Sequence, residues 1–151
     1  MAALKGLNYT KSTSVGADKV GAGELGGKIK HVYEQYTLPG AILAAADTID
    51  ICELPAGAMV IEAVISCASL GTTGIMDLGY TANGADIADP NAFISGSDAG
   101  GQAVTTKMTA TPNMVGYLKK FTKPTLVQLV ATEASTETAS VIKVCVQYVV
   151  D

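Results

Sequence analysis

Residues 140–150 read SVIKVCVQYVV, and the alternation in this stretch decides the fold. Ile142, Val144, Val146, Tyr148 and Val150 fall on one side of an extended chain, and Val141, Lys143, Cys145 and Gln147 on the other. Successive side chains of a strand point to opposite faces. One apolar row against one mixed row therefore predicts a strand half buried in an antiparallel sheet. The run from Leu126 to Thr132 has the same strength, and the polar loop Glu133-Ala134-Ser135-Thr136-Glu137 separates the two.

Working outward, the rest of the chain repeats the theme. From Ile29, Lys30, Val32, Glu34, Tyr36 and Leu38 alternate with His31, Tyr33, Gln35 and Thr37, and Pro39-Gly40 ends the run as a turn. Asp47 to Leu54 predicts a strand with Ile49 and Ile51 on one face, stopped by Pro55-Ala56-Gly57. Ala58 to Leu70 is long enough for a helix, but Val60, Ile61, Val64 and Ile65 and the glycine-bearing flanks favour a strand. Gly71-Thr72-Thr73-Gly74 then reads as a turn into a short strand ending at Tyr80, making the two strands a hairpin. Gln102 to Thr109 and Val115 to Phe121 read as modest strands. Asp86 to Ile94 stands apart: Asp89 at an N-cap and Pro90 at the first helical position form a helix-start signature. One or two helical turns docked by Phe93 and Ile94 are expected there. About eight strands joined by short turns predict an all-β, jelly-roll-like β-sandwich with one short helix, an open barrel being the alternative.

The first 28 residues obey no such period. Gly6, Gly16, Gly21, Gly23, Gly26 and Gly27 interrupt every run, and glycine loses much entropy on ordering. Residues 1–28 are therefore expected to be an extended, flexible N-terminal arm and residues 29–151 the β-sandwich domain. Leu4, Leu7 and Tyr9 are the apolar anchors available to such an arm. A chain of 151 residues fits one domain and buries roughly 68–70% of its unfolded surface, so its core needs no staple. Only 16% of residues are charged, against a typical ~25%. Such a surface is either partly covered by partners or simply rich in Thr, Ser and Gly.

Charge is unevenly spread. Residues 1–30 hold five lysines against two acids, residues 31–106 hold nine carboxylates and no lysine, and residues 107–151 hold five lysines and three acids, for a net charge of −4. A basic arm suits an acidic surface, on a neighbour or on a partner, and complementary charge mainly sets orientation and on-rate. Nucleic acid is a poor partner for this chain. It has no arginine, the residue whose planar fork matches phosphate and guanine, and its body is acidic.

Chemistry-bearing patterns are weak. Gly21-Ala22-Gly23-Glu24-Leu25-Gly26 matches the dinucleotide fingerprint in letters, but no strand precedes it and no helix follows. Asp86, Asp89 and Asp98 with Asn83 and Asn91 offer oxygen ligands at a spacing that does not fit a calcium loop. Cys52, Cys67 and Cys145 are odd in number, widely spaced and set in strand patterns, where a free thiol serves as a small buried hydrophobe. His31 is the single imidazole, which argues against a zinc site, and no nucleophile elbow accompanies it. A paired-carboxylate cleft would lack the aromatic platform sugars prefer, as there is no Trp. No enzyme activity, cofactor or metal is expected. No apolar run approaches the ~18 residues of a membrane span, and no signal-peptide core is evident, so synthesis in the cytoplasm without membrane association is expected.

The stretches KIKHVYEQYTL (28–38), ADTIDICELPAGAMVIEAVISC (46–67), GTTGIMDLGYTANGADIADPNAFISG (71–96) and SVIKVCVQYVV (140–150) together resemble the small capsid cement, or decoration, proteins of tailed bacteriophages. The resemblance covers roughly residues 28–151. It implies a virion protein that binds the outside of the capsid, as a dimer or trimer, with the major capsid protein as partner, and stabilises contacts between capsomers. On that reading Leu4, Leu7 and Tyr9 are apolar contacts of the arm, and Lys5, Lys11 and Lys19 its charge contacts. Another virion component, such as a head fibre or tail protein, and a carbohydrate- or surface-binding module are the alternatives. The module would need an exposed platform from Tyr33, Tyr36, Tyr80 and Tyr117.

Overall fold

A computed structural model describes residues 28–108 and 115–150. These form eight strands: β1 (Lys30–Thr37), β2 (Thr48–Leu54), β3 (Ala58–Cys67), β4 (Ile75–Tyr80), β5 (Asp89–Asp98), β6 (Val104–Lys107), β7 (Thr125–Ala131) and β8 (Val141–Val150). Two four-stranded sheets result, with orders β1-β8-β3-β6 and β2-β7-β4-β5, and every pairing is antiparallel.

The pairing has a simple logic. β1 pairs with β8, β2 with β7, β3 with β6 and β4 with β5. The chain is thus one long antiparallel ribbon, β1–β4 running out and β5–β8 running back. Rolling the ribbon up brings β8 against β3 and β7 against β4, and these two contacts complete the sheets. That connectivity is a jelly roll, a two-sheet solution to the problem of covering apolar sheet faces without an open edge-to-edge stack.

The core lies between the sheets. Ile142, Val144, Val146 and Tyr148 point inward from β8 as their alternation predicts, opposite Leu78, Val127 and Leu129 of the second sheet. Ile49, Ile51 and Leu54 are buried on β2; a register shift between Asp50 and Cys52 lets Ile51 and then Leu54 both face inward. β1 is an edge strand, and only Val32 and Tyr36 of it are half buried.

Three local expectations are corrected. The helix expected over residues 86–94 is absent: Asp89–Asp98 is strand β5, with Ala92, Phe93 and Ile94 all buried. β5 is an edge strand, where proline's missing N–H costs no ladder bond. Two register shifts against β4 absorb the irregular burial. At Gly79 the backbone of Asp89 and Pro90 lies where a Cβ would be, so β4 and β5 approach there as only glycine permits. Second, β3 and β4 are not a hairpin. They lie in opposite sheets, and residues 68–74 carry the chain across. Gly71, at φ +98°, turns that crossing against Thr136, and Leu70 plugs the gap between the sheets with no exposed surface. Third, residues 115–121 are turns rather than a strand. They run along the start of β3, held by an isolated bridge between Met59 and Lys120 and by the N–H groups of Leu118 and Phe121, which donate to the Val60 and Ala58 carbonyls.

Candidate assembly surface

The ribbon geometry gives the sandwich two distinct ends. At one, the chain enters through residues 28–29 and the β2–β3, β4–β5 and β6–β7 connections meet; at the other lie β1–β2, β3–β4, β5–β6 and β7–β8. The second end is tightly laced. Leu70 N–H donates to the Ala99 carbonyl (2.9 Å), Thr136 N–H to the Leu70 carbonyl (2.9 Å) and Leu38 N–H to the Ser140 carbonyl (3.0 Å). Buried Ser135 accepts from Leu43 N–H (2.8 Å) and donates to the Glu137 carbonyl (3.0 Å). Its connecting loops carry Asp47, Glu133 and Glu137 and no lysine.

The entry end is different in kind. Of seven large apolar side chains left exposed among the described residues, five are here: Ile29, Ile87, Val115, Tyr117 and Leu118, Ile87 being 89% exposed. Five of the seven described lysines are also here: Lys28, Lys30, Lys119, Lys120 and Lys123, against Glu53, Asp86 and Asp89. Lys107, paired with Val64 in the far half of β3, and Lys143 lie elsewhere.

This arrangement is built from the backbone up. Asn83 organises the β4–β5 loop: its Oδ1 accepts from the N–H groups of Ala85 (2.8 Å) and Asp86 (2.7 Å), while its Nδ2 donates to Asp86 Oδ2 (3.0 Å) and Thr125 Oγ1 (2.7 Å). That Asx-type turn leaves Ile87 pointing into solvent. Lys119 Nζ lies 2.8 Å from Asp86 Oδ1 and joins this loop to β6–β7. The ammonium also sits 5.6 Å from the Tyr80 ring centroid and 5.9 Å from that of Phe121. The hydrogen bond from Lys119, then that from Asn83, holds the Asp86 carboxyl below its ordinary range; Asp86 in turn raises Lys119. Leu118 adopts a left-handed backbone (φ 56°), costly for a branched side chain, and its N–H donates to the Val60 carbonyl (2.9 Å). Fixed there, its side chain stays about half exposed.

The two sheets also differ in sign. The strands of the second sheet carry Asp50, Glu53, Asp77, Asp89 and Asp98 and no lysine; those of the first carry Lys30, Lys107 and Lys143 against Glu34 and Glu62. On the outer face of the first sheet the register aligns Tyr33, Cys145 and Val64 in one row, ending at Lys107. His31 is exposed beside them, its Nδ1 3.4 Å from Cys145 Sγ.

The residues singled out in the sequence are scattered. The contact residues Leu4, Lys5, Leu7, Tyr9, Lys11 and Lys19 lie outside the described residues. Asp86 is paired with Lys119, while Asp89 and Asp98 occupy opposite ends of β5, so the oxygen-rich set does not converge. Burial, with Glu34 adding a little, pushes the Cys52 thiol up to about 11; burial alone takes Cys67 to about 11. Cys145 is raised by burial and then by Glu62. None of the three is poised as a thiolate. Tyr80 is buried against Phe121, Tyr36 is half buried, Tyr33 lies on the first sheet's face and Tyr117 in the β6–β7 connection, so the four do not make one exposed platform. The entry-end surface itself escaped sequence reading, because its apolar members come from three separate segments. Ile87, alone in the polar run from Asn83 to Asp89, was its one local signal.

No protein-family model matches the chain, and no curated protein matches it. Solved structures do. A chain of the capsid of Ralstonia phage GP4 superposes with a TM-score of 0.67 at 22% identity, over 83% of this chain and 86% of that one. A chain of the Cyanophage Pam1 capsid asymmetric unit gives 0.62 at 19% identity, over 92% and 94%. The jelly roll described here is thus a fold that occurs, at nearly the same length, in chains of two phage capsids.

Proposed function

We propose that this chain is a structural protein of a phage virion that sits on the outer surface of the capsid and stabilises contacts between capsomers. The observation that carries the reading is the jelly-roll likeness over almost the whole chain to chains of two phage capsids. The physics of the surface is compatible with it. A shell of repeated subunits multiplies a weak contact by symmetry, so a small clamp repeated over it gains stability by avidity. Residues 1–28 act as an arm, with Leu4, Leu7 and Tyr9 as apolar contacts and Lys5, Lys11 and Lys19 as charge partners on the major capsid protein or on a neighbouring copy. A segment that orders on binding covers a wide surface despite its entropy cost. The clamp works as a dimer or trimer.

The test uses capsids of the encoding phage produced without this protein. Adding the purified full chain should give saturable binding and raise the temperature at which packaged DNA is released. Capsids that neither bind the chain nor change in heat resistance would overturn the reading. The solution mass of the chain, by light scattering, decides between dimer and trimer, and a monomer both free and on the shell would remove the symmetric clamp.

A further inference from the structure

We infer that the entry end of the sandwich is the surface applied to the shell, so that the acidic β1–β2 and β7–β8 connections face away from it. This rests on the capsid reading above and specifies its geometry. Ile87, Val115, Tyr117 and Leu118 leave apolar surface exposed at the end that also carries Lys119, Lys120 and Lys123, whereas the opposite end exposes Ile42 alone among its large apolar residues. Exposed apolar side chains rimmed by charge mark interaction sites.

The occupant is a different protein with carboxylates around apolar pockets, namely the shell subunit. The described residues of this end carry more lysines than carboxylates, so two copies meeting symmetrically through it would bring like net charge together, which repulsion disfavours. A basic end seated on the acidic end of the next copy is a heterologous contact whose rotation need not close, and it leads to filaments rather than a clamp. Residues 1–27 enter at this same end. Fully extended they reach up to ~90 Å, so an arm gripping the shell and a body seated on it act from one side. The lysines should also speed docking at low salt.

The experiment compares full-length Ile87→Asp/Val115→Asp, Lys30→Glu/Lys123→Glu and, as a matched control at the opposite end, Ile42→Asp. Each is checked for unchanged thermal unfolding and then titrated onto capsids lacking the protein. The two entry-end variants should bind about tenfold or more weakly, the charge variant losing most at low ionic strength, while Ile42→Asp binds as wild type. Entry-end variants that bind like wild type, or a loss confined to Ile42→Asp, overturn the inference while leaving the capsid reading standing; the end is then covered by something else, such as residues 1–27. Wild-type protein that grows into larger species in light scattering, reversed by Ile87→Asp/Val115→Asp, would assign this end to a second copy and overturn it too. Wild-type protein that does not bind capsids at all sinks both readings.

Discussion

Tyr80 and Phe121 meet edge to face beneath the entry end, ring centroids 5.0 Å apart at 74°, and this contact ties the end of β4 to the β6–β7 connection. Phe121 has no exposed surface, and its backbone is pinned on both sides: Gly57 N–H donates to its carbonyl (2.7 Å) and its own N–H donates to the Ala58 carbonyl (2.9 Å). The ring therefore fixes the position from which Lys119 reaches Asp86. Phe121→Ala should cost about 3–5 kcal/mol of stability through lost burial and a cavity the pinned backbone cannot close. Urea unfolding measures this; a loss below about 1 kcal/mol would mean that Tyr80 does not depend on the ring.

The pair above that contact titrates in a predictable direction. Asp86 is held below its ordinary value by Lys119 and Asn83, so the carboxylate contributes stability above the unfolded Asp pKa of ~3.9, lost as pH falls through the lower folded pKa. Lys119 is raised, so its contribution is complete below the unfolded Lys pKa of ~10.4 and is lost only as pH rises through the higher folded value. Between those limits the pair is fully formed. Both side chains are partly exposed, so Asp86→Asn should cost no more than about 1 kcal/mol at neutral pH. The difference from wild type in urea unfolding should shrink below pH ~3.9. A constant difference across that range would assign the effect to the Asn83 turn rather than to charge.

The parts of this fold legible in the sequence are those where one face of a strand meets the core without interruption. β8 is the clearest case, and β2 and β7 follow it. Eight strands are expected and eight are found among the described residues, but by an exchange: residues 115–121 are not a strand, and β5 is. At β5 local chemistry pointed to a helix, since Asp89-Pro90 reads equally as an N-cap and as the start of an edge strand. The choice is made by pairing with the preceding strand β4, which no signal within residues 86–94 reports. The β3–β4 crossing failed for the same reason. Gly71-Thr72-Thr73-Gly74 has the composition of a hairpin turn, yet its hydrogen bonds go to Thr136 and Ala134 of the β7–β8 connection and to Ala99 and Gly101 of the β5–β6 connection. Jelly-roll pairing joins strands far apart in sequence, and turn chemistry cannot encode which sheet a strand enters.

The β4–β5 approach makes a sharp mutational test. A Cβ on Gly79 would collide with the carbonyl oxygen of Asp89 and the backbone of Pro90, which are main-chain atoms that cannot rotate aside. Gly79 is not at a positive φ, so any penalty is steric rather than conformational. Gly79→Ala should therefore destabilise by about 1–3 kcal/mol or more, as overpacking does, and weaken β5 before the rest of the sandwich. Amide exchange should accelerate across β5 while β8 keeps its protection. Uniform acceleration would mean that β5 unfolds with the whole domain.

The three cysteines should separate by reactivity. A thiol reacts as its thiolate, and at pH 8 a thiol with a pKa of about 11 is almost wholly protonated. Cys67 combines that value with burial inside the sandwich, whereas Cys145 is half exposed on the outer face of the first sheet, 3.4 Å from the His31 imidazole. Iodoacetamide at pH 8 should thus label Cys145 first, Cys52 more slowly and Cys67 only as the domain opens, with all three labelled in urea. Peptide mass spectrometry over a time course reads the order. The first sheet's outer face carries Cys145 in line with Tyr33 and Val64, so the same experiment on assembled particles reports whether that face is covered. Labelling at Cys145 that is unchanged between free protein and particle leaves the face open to solvent, consistent with docking through the entry end. Protection at Cys145 with Ile87 still accessible to substitution would place the first sheet, rather than the entry end, against the partner.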